Sequence, residues 1–403
     1  MRLTYVVHRY GGEIVGGAET ACRLFAERLV ARGHEVSVVT SCASNYRDWS
    51  DEYLPGESSL NGVRVVRVPV VRPRDPDRFA KIHADLMEDP AHASMEAQVN
   101  WLDEMGPLLR EFPEVLRRES ELSDAVLFMT YLYPTTAYGV HALSGHRPCV
   151  LQPTAHDEPA IHVPFYRSVF GSADSLLFLT EEERDVTDRV FGVSKPNEVT
   201  GIGLDMSLPA GSGDLFRRTY GLDADPYILY VGRVDIMKGV SELMRYFVEF
   251  KGRNPSNLRL VIAGEQMMNI PAVEDIRYVG SLSEQDKMNG IAGSVALVQP
   301  SPYESFSIVL CEAWREKKPV LVQGYSSVLA GQSQRSQAGL AYWGFAEFEG
   351  CLRLLLADST LNKELGANGF EYVRRVYGWD SVMERLESGI QLGINAFVEK
   401  YAQ

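Results

Sequence analysis

The chain has 403 residues, 45 % hydrophobic and 23 % charged, a balance that excludes a disordered or fibrous polypeptide and a length that exceeds one ordinary domain. Fifty-four Asp and Glu outweigh 40 Lys and Arg for a formal charge of −14, which argues against nucleic acid as the main partner. No apolar run approaches the roughly 18 residues that span a bilayer, and Cys22, Cys42, Cys149, Cys311 and Cys351 are scattered without metal-ligand spacing, so a reduced, cytoplasmic protein without structural zinc is expected. Residues 1–8 reach an Arg and a His too early to read as a secretory leader.

In chain order, residues 3–8 form an apolar strand followed by the glycine pairs Gly11-Gly12 and Gly16-Gly17. Residues 18–32 place Ala18, Cys22, Leu24, Phe25, Leu29 and Val30 at helical spacing, and Gly33 stops the helix. Strands follow at 36–40, 125–129, 149–151, 175–179 and 199–204. Continuous apolar strands divided by helices predict a parallel sheet covered on both faces. The segment 79–121 breaks this rhythm. It is helix-rich, with Met87, Met95, Trp101, Leu102 and Met105, and reads as an insertion that shapes an acceptor site. At its start lie Arg64, Arg67, Arg72, Arg74, Arg78 and Lys81. This cluster is either a solvated strand edge or a patch for an anionic acceptor, such as a lipid diphosphate or the inner face of a membrane, with Arg72 and Arg74 as the candidate acceptor contacts.

Between 201 and 213 the composition turns to Gly, Ser and Pro, a predicted hinge, and the alternation restarts. Strands are expected at 227–231, 258–263, 276–279, 296–299, 320–323 and 340–343, with helices at 240–250 and about 307–316. This predicts domains over 1–206 and 207–380. An amphipathic helix over 381–403 either packs on its own domain or crosses back to the first. Ligands of such sheets bind beyond the carboxyl ends of the strands.

Three stretches at those strand ends carry chemistry. In Pro300-Ser301-Pro302-Tyr303-Glu304-Ser305-Phe306-Ser307-Ile308, a loop bearing Glu304 runs into a helix with Glu312 in its second turn. The helix N-terminus suits phosphate, and the carboxylates suit sugar and ribose hydroxyls. In Gly232-Arg233-Val234-Asp235-Ile236-Met237-Lys238-Gly239, Arg and Lys are the two cations a diphosphate can use. Gly16-Gly17 lets backbone N–H groups approach an anion. The pair Asp223 and Asp225 spells a DxD but precedes a strand, and reads as a turn.

Together these stretches resemble glycosyltransferase family 4, the retaining enzymes with the GT-B fold. Glu304 and Glu312 match its Glu-x7-Glu motif, Gly232-Arg233 and Lys238-Gly239 its cationic element, and Gly16-Gly17-Ala18-Glu19 its N-terminal turn. His156 matches its mid-domain histidine, and Gly366, Gly369, Tyr372 and Tyr377-Gly378-Trp379 its closing pattern. The resemblance implies an α/β protein whose two Rossmann-like domains face each other across a cleft. It implies that Arg233 and Lys238 hold the donor diphosphate, Glu312 the ribose and Glu304 the transferred sugar. The backbone near Arg277 would read the base, and Ser305, Phe306, Ser307 and Ile308 would supply N–H groups. Gly16 and Gly17 would approach phosphate and sugar, and His156 would lie near the anomeric centre.

The implied reaction is sugar transfer from a nucleoside diphosphate sugar to an acceptor hydroxyl of a glycan, lipid or small molecule. A UDP-sugar is favoured over GDP-mannose, and neither metal nor cofactor is expected. A nucleotide-sugar 2-epimerase and a non-catalytic nucleotide-sugar-binding subunit are the alternatives. The family's small Gly is replaced here by Ser305 and Ser307, either able to cap a helix, and Gly264-Glu265-Gln266 stands where the family has Gly-x-Gly.

Overall fold

The computed structural model describes residues 1–14, 16–192, 194–222 and 224–401. The chain divides into two compact units, 1–201 with 382–403 and 202–381.

The first unit begins β1 (Arg2–Val7), α1 (Gly17–Ala31), β2 (Glu35–Ser41), β3 (Gly56–Leu60) and β4 (Val63–Val68). It continues α2 (Pro76–Met87), α3 (Met95–Met105), α4 (Phe112–Glu121), β5 (Ala125–Met129), α5 (Pro134–Leu143), β6 (Cys149–Gln152), α6 (Phe165–Ser172), β7 (Ser175–Phe178), α7 (Glu181–Phe191) and β8 (Asn197–Val199). The eight strands run in the order β3-β4-β2-β1-β5-β6-β7-β8. All pairs are parallel except β3–β4, a hairpin turned by Asn61-Gly62, both at positive φ as a tight two-residue turn requires. This antiparallel edge departs from the expected all-parallel sheet. The central strands are apolar without alternation because both faces are covered: every residue of β5, β6 and β7 is buried. The expected strand 199–204 ends at Val199, and Leu204 makes only an isolated bridge to Gly378.

Helices α2 to α4 fill the segment 79–121, and several of their large side chains pack inward. Trp101, Leu102 and Met105 are at most 3 % exposed and join the core beneath β4 and β5. Only Met95 among the methionines named above is strongly exposed.

The second unit comprises α8 (Gly213–Tyr220), β9 (Tyr227–Val231), α9 (Val240–Arg253), β10 (Arg259–Ala263), β11 (Ile276–Tyr278), α10 (Glu284–Gly293), β12 (Ala296–Gln299), α11 (Ile308–Arg315), β13 (Val320–Gln323), α12 (Ser327–Ser336), β14 (Gly339–Tyr342), α13 (Phe345–Ala357) and α14 (Ser359–Val376). Its six strands are all parallel, in the order β11-β10-β9-β12-β13-β14. The glycines of the closing pattern have a packing role. A Cβ on Gly369 would collide with the Trp314 ring and one on Gly366 with the Lys317 carbonyl, so α14 lies close against the end of α11.

The last helix, α15 (Trp379–Tyr401), starts in the second unit and from Val382 belongs to the first. Gly389 and Gly393, one turn apart, leave room for Leu177 of β7 and for Ser175 and Val150. A Cβ on Gly389 would stand 2.1 Å from Leu177, and one on Gly393 2.5 Å from Ser175 and 2.9 Å from Val150. Ser175 Oγ donates to the Gly389 carbonyl (3.0 Å), and Glu387 accepts from Arg32 (2.8 Å) and pairs with His34 (3.0 Å).

Candidate active site

In each unit the strand order reverses direction once, between β9 and β12 in the second and between β1 and β5 in the first. Loops leaving the carboxyl ends of such a strand pair diverge and open a crevice. The Gly16-Gly17 turn follows β1, the Arg233–Lys238 loop follows β9 and the glutamates follow β12, whereas His156 follows β6.

In the second unit, the loop after β9 carries Arg233 and Lys238. Buried Tyr230 donates to the Arg233 carbonyl (2.8 Å), and Gly232 N and Val234 N donate to the carbonyls of Ala263, which ends β10, and of Glu265 just beyond it. Gly264 has φ +135, and a Cβ there would stand 1.9 Å from the Gly232 carbonyl oxygen. Glycine is thus needed for the two loops to meet. Asp235 caps the short 3₁₀ turn Ile236–Lys238 through Met237 N (2.6 Å) and accepts from Arg233 Nε (2.6 Å). The turn ends at Gly239, φ +73, against the Pro300 carbonyl beyond β12.

This close approach brings Lys238 Nζ to 2.8 Å from Glu304 Oε1. Replacing Gly239 by alanine forces a left-handed residue and sets its Cβ 2.2 Å from a backbone oxygen that cannot swing away. Gly239→Ala is expected to cost about 1–3 kcal/mol or more, read as the denaturant midpoint of unfolding.

Beyond β12, Phe306 is buried against Tyr377 (ring centroids 4.9 Å), and Gln332 Nε2 donates to the Phe306 carbonyl. Phe306 therefore anchors the loop with its side chain. Ser307 precedes α11 at φ +67 and its hydroxyl makes no capping bond, contrary to the expected cap. It lies 3.4 Å from Gln299 Nε2. The left-handed position explains why glycine suits it. Ser307→Gly relieves a cost of about 1–2 kcal/mol and adds a smaller unfolded-state entropy penalty, so a net gain near 0.5–1 kcal/mol is expected in denaturant titration.

Glu312 lies one turn into α11. Its Oε1 accepts from Lys287 Nζ of α10 (2.7 Å), which also meets Glu284 (2.9 Å). Burial raises the Glu312 carboxyl, with Lys287 opposing, and the two carboxylates outweigh burial to hold Lys287 above its ordinary value. Glu312 Oε2 is buried with no hydrogen-bond partner among the described residues. It is an acceptor left open for a donor such as a hydroxyl. Arg277 lies exposed on the edge strand β11.

In the first unit, Gly16 caps α1 and Gly17 opens it. A Cβ on Gly16 would stand 2.3 Å from the Glu19 carboxylate, whereas one on Gly17 would meet nothing. Glu19 receives His8 Nε2 (3.0 Å) and Arg9 Nε (3.0 Å), a buried cluster that tethers the end of β1 to the first turn of α1. Burial alone would raise the Glu19 carboxyl, but His8 and Arg9 hold it well below the usual carboxylate range. Burial lowers His8 against the pull of Glu19. The His8 ring stacks on Tyr133, the residue before α5, at 3.8 Å. His156 follows β6; its Nδ1 is 3.6 Å from Glu158 Oε1, which accepts from Tyr131 OH (3.0 Å).

The basic cluster is not a single free face. Arg64 pairs with Glu57 and Glu119, and Arg72 and Arg78 both pair with buried Glu104 (2.6 and 2.9 Å). Arg74 donates to the Arg47 and Met105 carbonyls and stacks over Phe79 and Trp49. Arg72 and Arg74, the expected acceptor contacts, thus already have partners within the chain, Glu104 for Arg72 and backbone carbonyls for Arg74. Asp225 binds Asn257 and Arg259, and Asp223 lies outside the described residues. Among the described residues, no three His, Cys, Asp or Glu gather to hold a metal.

Residues 16–203 match the description "Glycosyl transferase 4-like domain" and residues 214–371 "Glycosyl transferases group 1". An uncharacterized glycosyltransferase of Methanocaldococcus jannaschii is 26 % identical over 95 % of this chain and 96 % of its own. Sucrose-phosphate synthase from Thermosynechococcus elongatus is 16 % identical, with a TM-score of 0.70 over 96 % of this chain and 97 % of that one. HepE from Anabaena, solved in complex with UDP-glucose, is 12 % identical, with a TM-score of 0.70 over 97 % and 99 %. Two successive family matches, one over each Rossmann-like unit, and the motif residues at both strand-order reversals lead to one conclusion: the chain belongs to glycosyltransferase family 4 and has the GT-B fold.

Proposed function

We propose that this glycosyltransferase moves a sugar from a nucleoside diphosphate, UDP before GDP, to an acceptor hydroxyl with retention of anomeric configuration. The observation that carries the reading is the grouping in the second unit. Lys238 lies against Glu304 (2.8 Å), with Arg233 on the same loop, while Glu312 keeps a buried oxygen open at the start of α11. Lys238, Arg233 and the first-turn N–H groups of α11 would take the diphosphate. Glu312 would accept from a ribose hydroxyl, with Lys287 fixing its other oxygen. Once phosphate claims Lys238, Glu304 turns to the hydroxyls of the sugar. The HepE complex with UDP-glucose supports a uridine donor by likeness of fold only.

In the proposed transfer, the bond between the anomeric carbon and the diphosphate oxygen breaks through an oxocarbenium-like state. The acceptor oxygen attacks from the same face and passes its proton to the departing phosphate oxygen. The chain's part is to hold both reactants and stabilise the growing negative charge. His156 and the Gly16-Gly17 turn would act at the sugar, and the cations leave no need for a metal. A cytoplasmic setting fits five cysteines that are all unpaired and an aqueous donor.

The test is an assay of UDP-glucose, GDP-mannose, ADP-glucose and dTDP-glucose in EDTA, with and without an acceptor library. One donor is expected to release nucleotide faster with acceptor and to give a product of unchanged anomeric configuration. An epimerised donor without acceptor would support a 2-epimerase instead, and nucleotide binding without turnover a non-catalytic subunit.

A further inference from the structure

We infer that Glu183 is a positioning residue that holds the His156 loop in a strained conformation, a role that rests on the proposed part of His156 in transfer. Glu183 is in the first turn of α7 and is fully buried, yet no cationic side chain pairs with it among the described residues. Its two oxygens go to different backbone segments. Oε1 accepts from Ala155 N (2.7 Å), directly before His156, and Oε2 accepts from Leu179 N (2.6 Å), directly after β7. Glu183 N in turn donates to Thr180 Oγ1 (3.2 Å), so the side chain is fixed at its own root.

A desolvated carboxyl is costly unless hydrogen bonds compensate it, and here it satisfies two backbone N–H groups that an apolar residue would leave unpaired. Burial pushes this group up to about 8 despite the N–H groups that face it. What the carboxyl does there is join two loops. The loop it holds is unusual: Thr154, one residue before Ala155, has φ +51, a left-handed conformation that a β-branched residue avoids. Such strain persists where neighbours over-determine it, and it is concentrated at sites whose geometry matters. Past Ala155, the same turn presents His156 beside Glu158 and Tyr131. Glutamine cannot replace the carboxyl, because one of the two N–H donors would then face an amide NH₂.

The test measures kcat, donor KM and UDP affinity in E183Q, T154G, H156A and the E183Q/T154G and E183Q/H156A pairs, using the donor the assay above selects. E183Q is expected to lower kcat about 10–100-fold, the scale of a misplaced reacting group. UDP affinity is expected to stay within about twofold, since the diphosphate residues lie on the other unit. T154G, which accepts the left-handed conformation freely, is expected to restore much of kcat in the E183Q background. In the H156A background, E183Q is expected to add nothing.

A rate loss from E183Q as large in H156A as in the wild type would overturn the inference, and so would an unchanged kcat. Wild-type kcat in H156A would overturn the role of His156 and this inference together, leaving the diphosphate site standing. Should E183Q fail to fold, E183D makes the same comparison, since it keeps the carboxyl but withdraws it by one methylene.

Discussion

Lys238→Ala is expected to lower kcat by about 10²–10³-fold, equivalent to about 2–4 kcal/mol of transition-state stabilisation, the range seen when one preorganised donor to a developing oxyanion is removed. The ammonium is held by its own turn and by residues more than 60 positions further along the chain. It is positioned by the 3₁₀ turn Ile236–Lys238, by Gly239 against Pro300 and by Glu304. A cation placed before the reaction needs no reorganisation as charge builds on the leaving diphosphate. The loss should therefore fall on kcat more than on donor KM, which separates transition-state stabilisation from simple binding. Lys238→Arg keeps the charge but presents a wide planar fork where a point charge fits, so it should recover only part of the rate. Steady-state kinetics of both variants check this, and a wild-type kcat in Lys238→Ala would remove the side chain from the mechanism.

Glu19→Gln is expected to destabilise the first unit by about 3–5 kcal/mol, because the substitution strips a buried carboxylate from His8 and Arg9 and leaves a buried cation uncompensated. Glu19 is 7 % exposed and His8 2 %, so water cannot substitute. The pH dependence has a definite sign. Both Glu19 and His8 have lowered pKa values in the folded chain, so the unfolded chain binds their protons first as pH falls. Their contribution is present above the unfolded values, near 6.5 for His8 and near 4.5 for Glu19, and is lost below them. Denaturant unfolding at pH 7 and pH 4 should show a steep loss for the wild type and a shallower one for Glu19→Gln. Equal slopes would mean that the cluster is not the acid-labile element.

The motif glutamates, the Arg-Lys loop and the glycine turn were legible because each lies in a short stretch at a strand end, where residue type and spacing carry the chemistry. Their partners were not. Lys287 meets Glu312 from 25 positions away, and Glu183 meets Ala155 from 28, contacts that only the tertiary packing creates. The arginines between 64 and 78 read as a basic face because Glu104 and Glu119, far along the chain, give no local sign of folding back to pair with Arg64, Arg72 and Arg78. Trp101 and Met105 are buried, a placement the sequence does not reveal, since an apolar helix stripe reads alike whether it faces a ligand or a core. The Asn61-Gly62 hairpin is the opposite case. Its Asn-Gly turn signature lies in the sequence, and the antiparallel edge strand follows from it. Ser307 shows a subtler limit: serine ahead of a helix suggests a cap, but the left-handed backbone turns its hydroxyl away from the first turn.

The most direct test of the diphosphate cradle is calorimetric titration of UDP and of uridine, or of GDP and guanosine if guanine is the base, into the wild type and an Arg233→Ala/Lys238→Ala double variant. The wild type should bind the diphosphate at least tenfold more tightly than the nucleoside, and the double variant should lose that preference while still binding the nucleoside. A preference for the diphosphate that survives intact in the double variant would contradict the account.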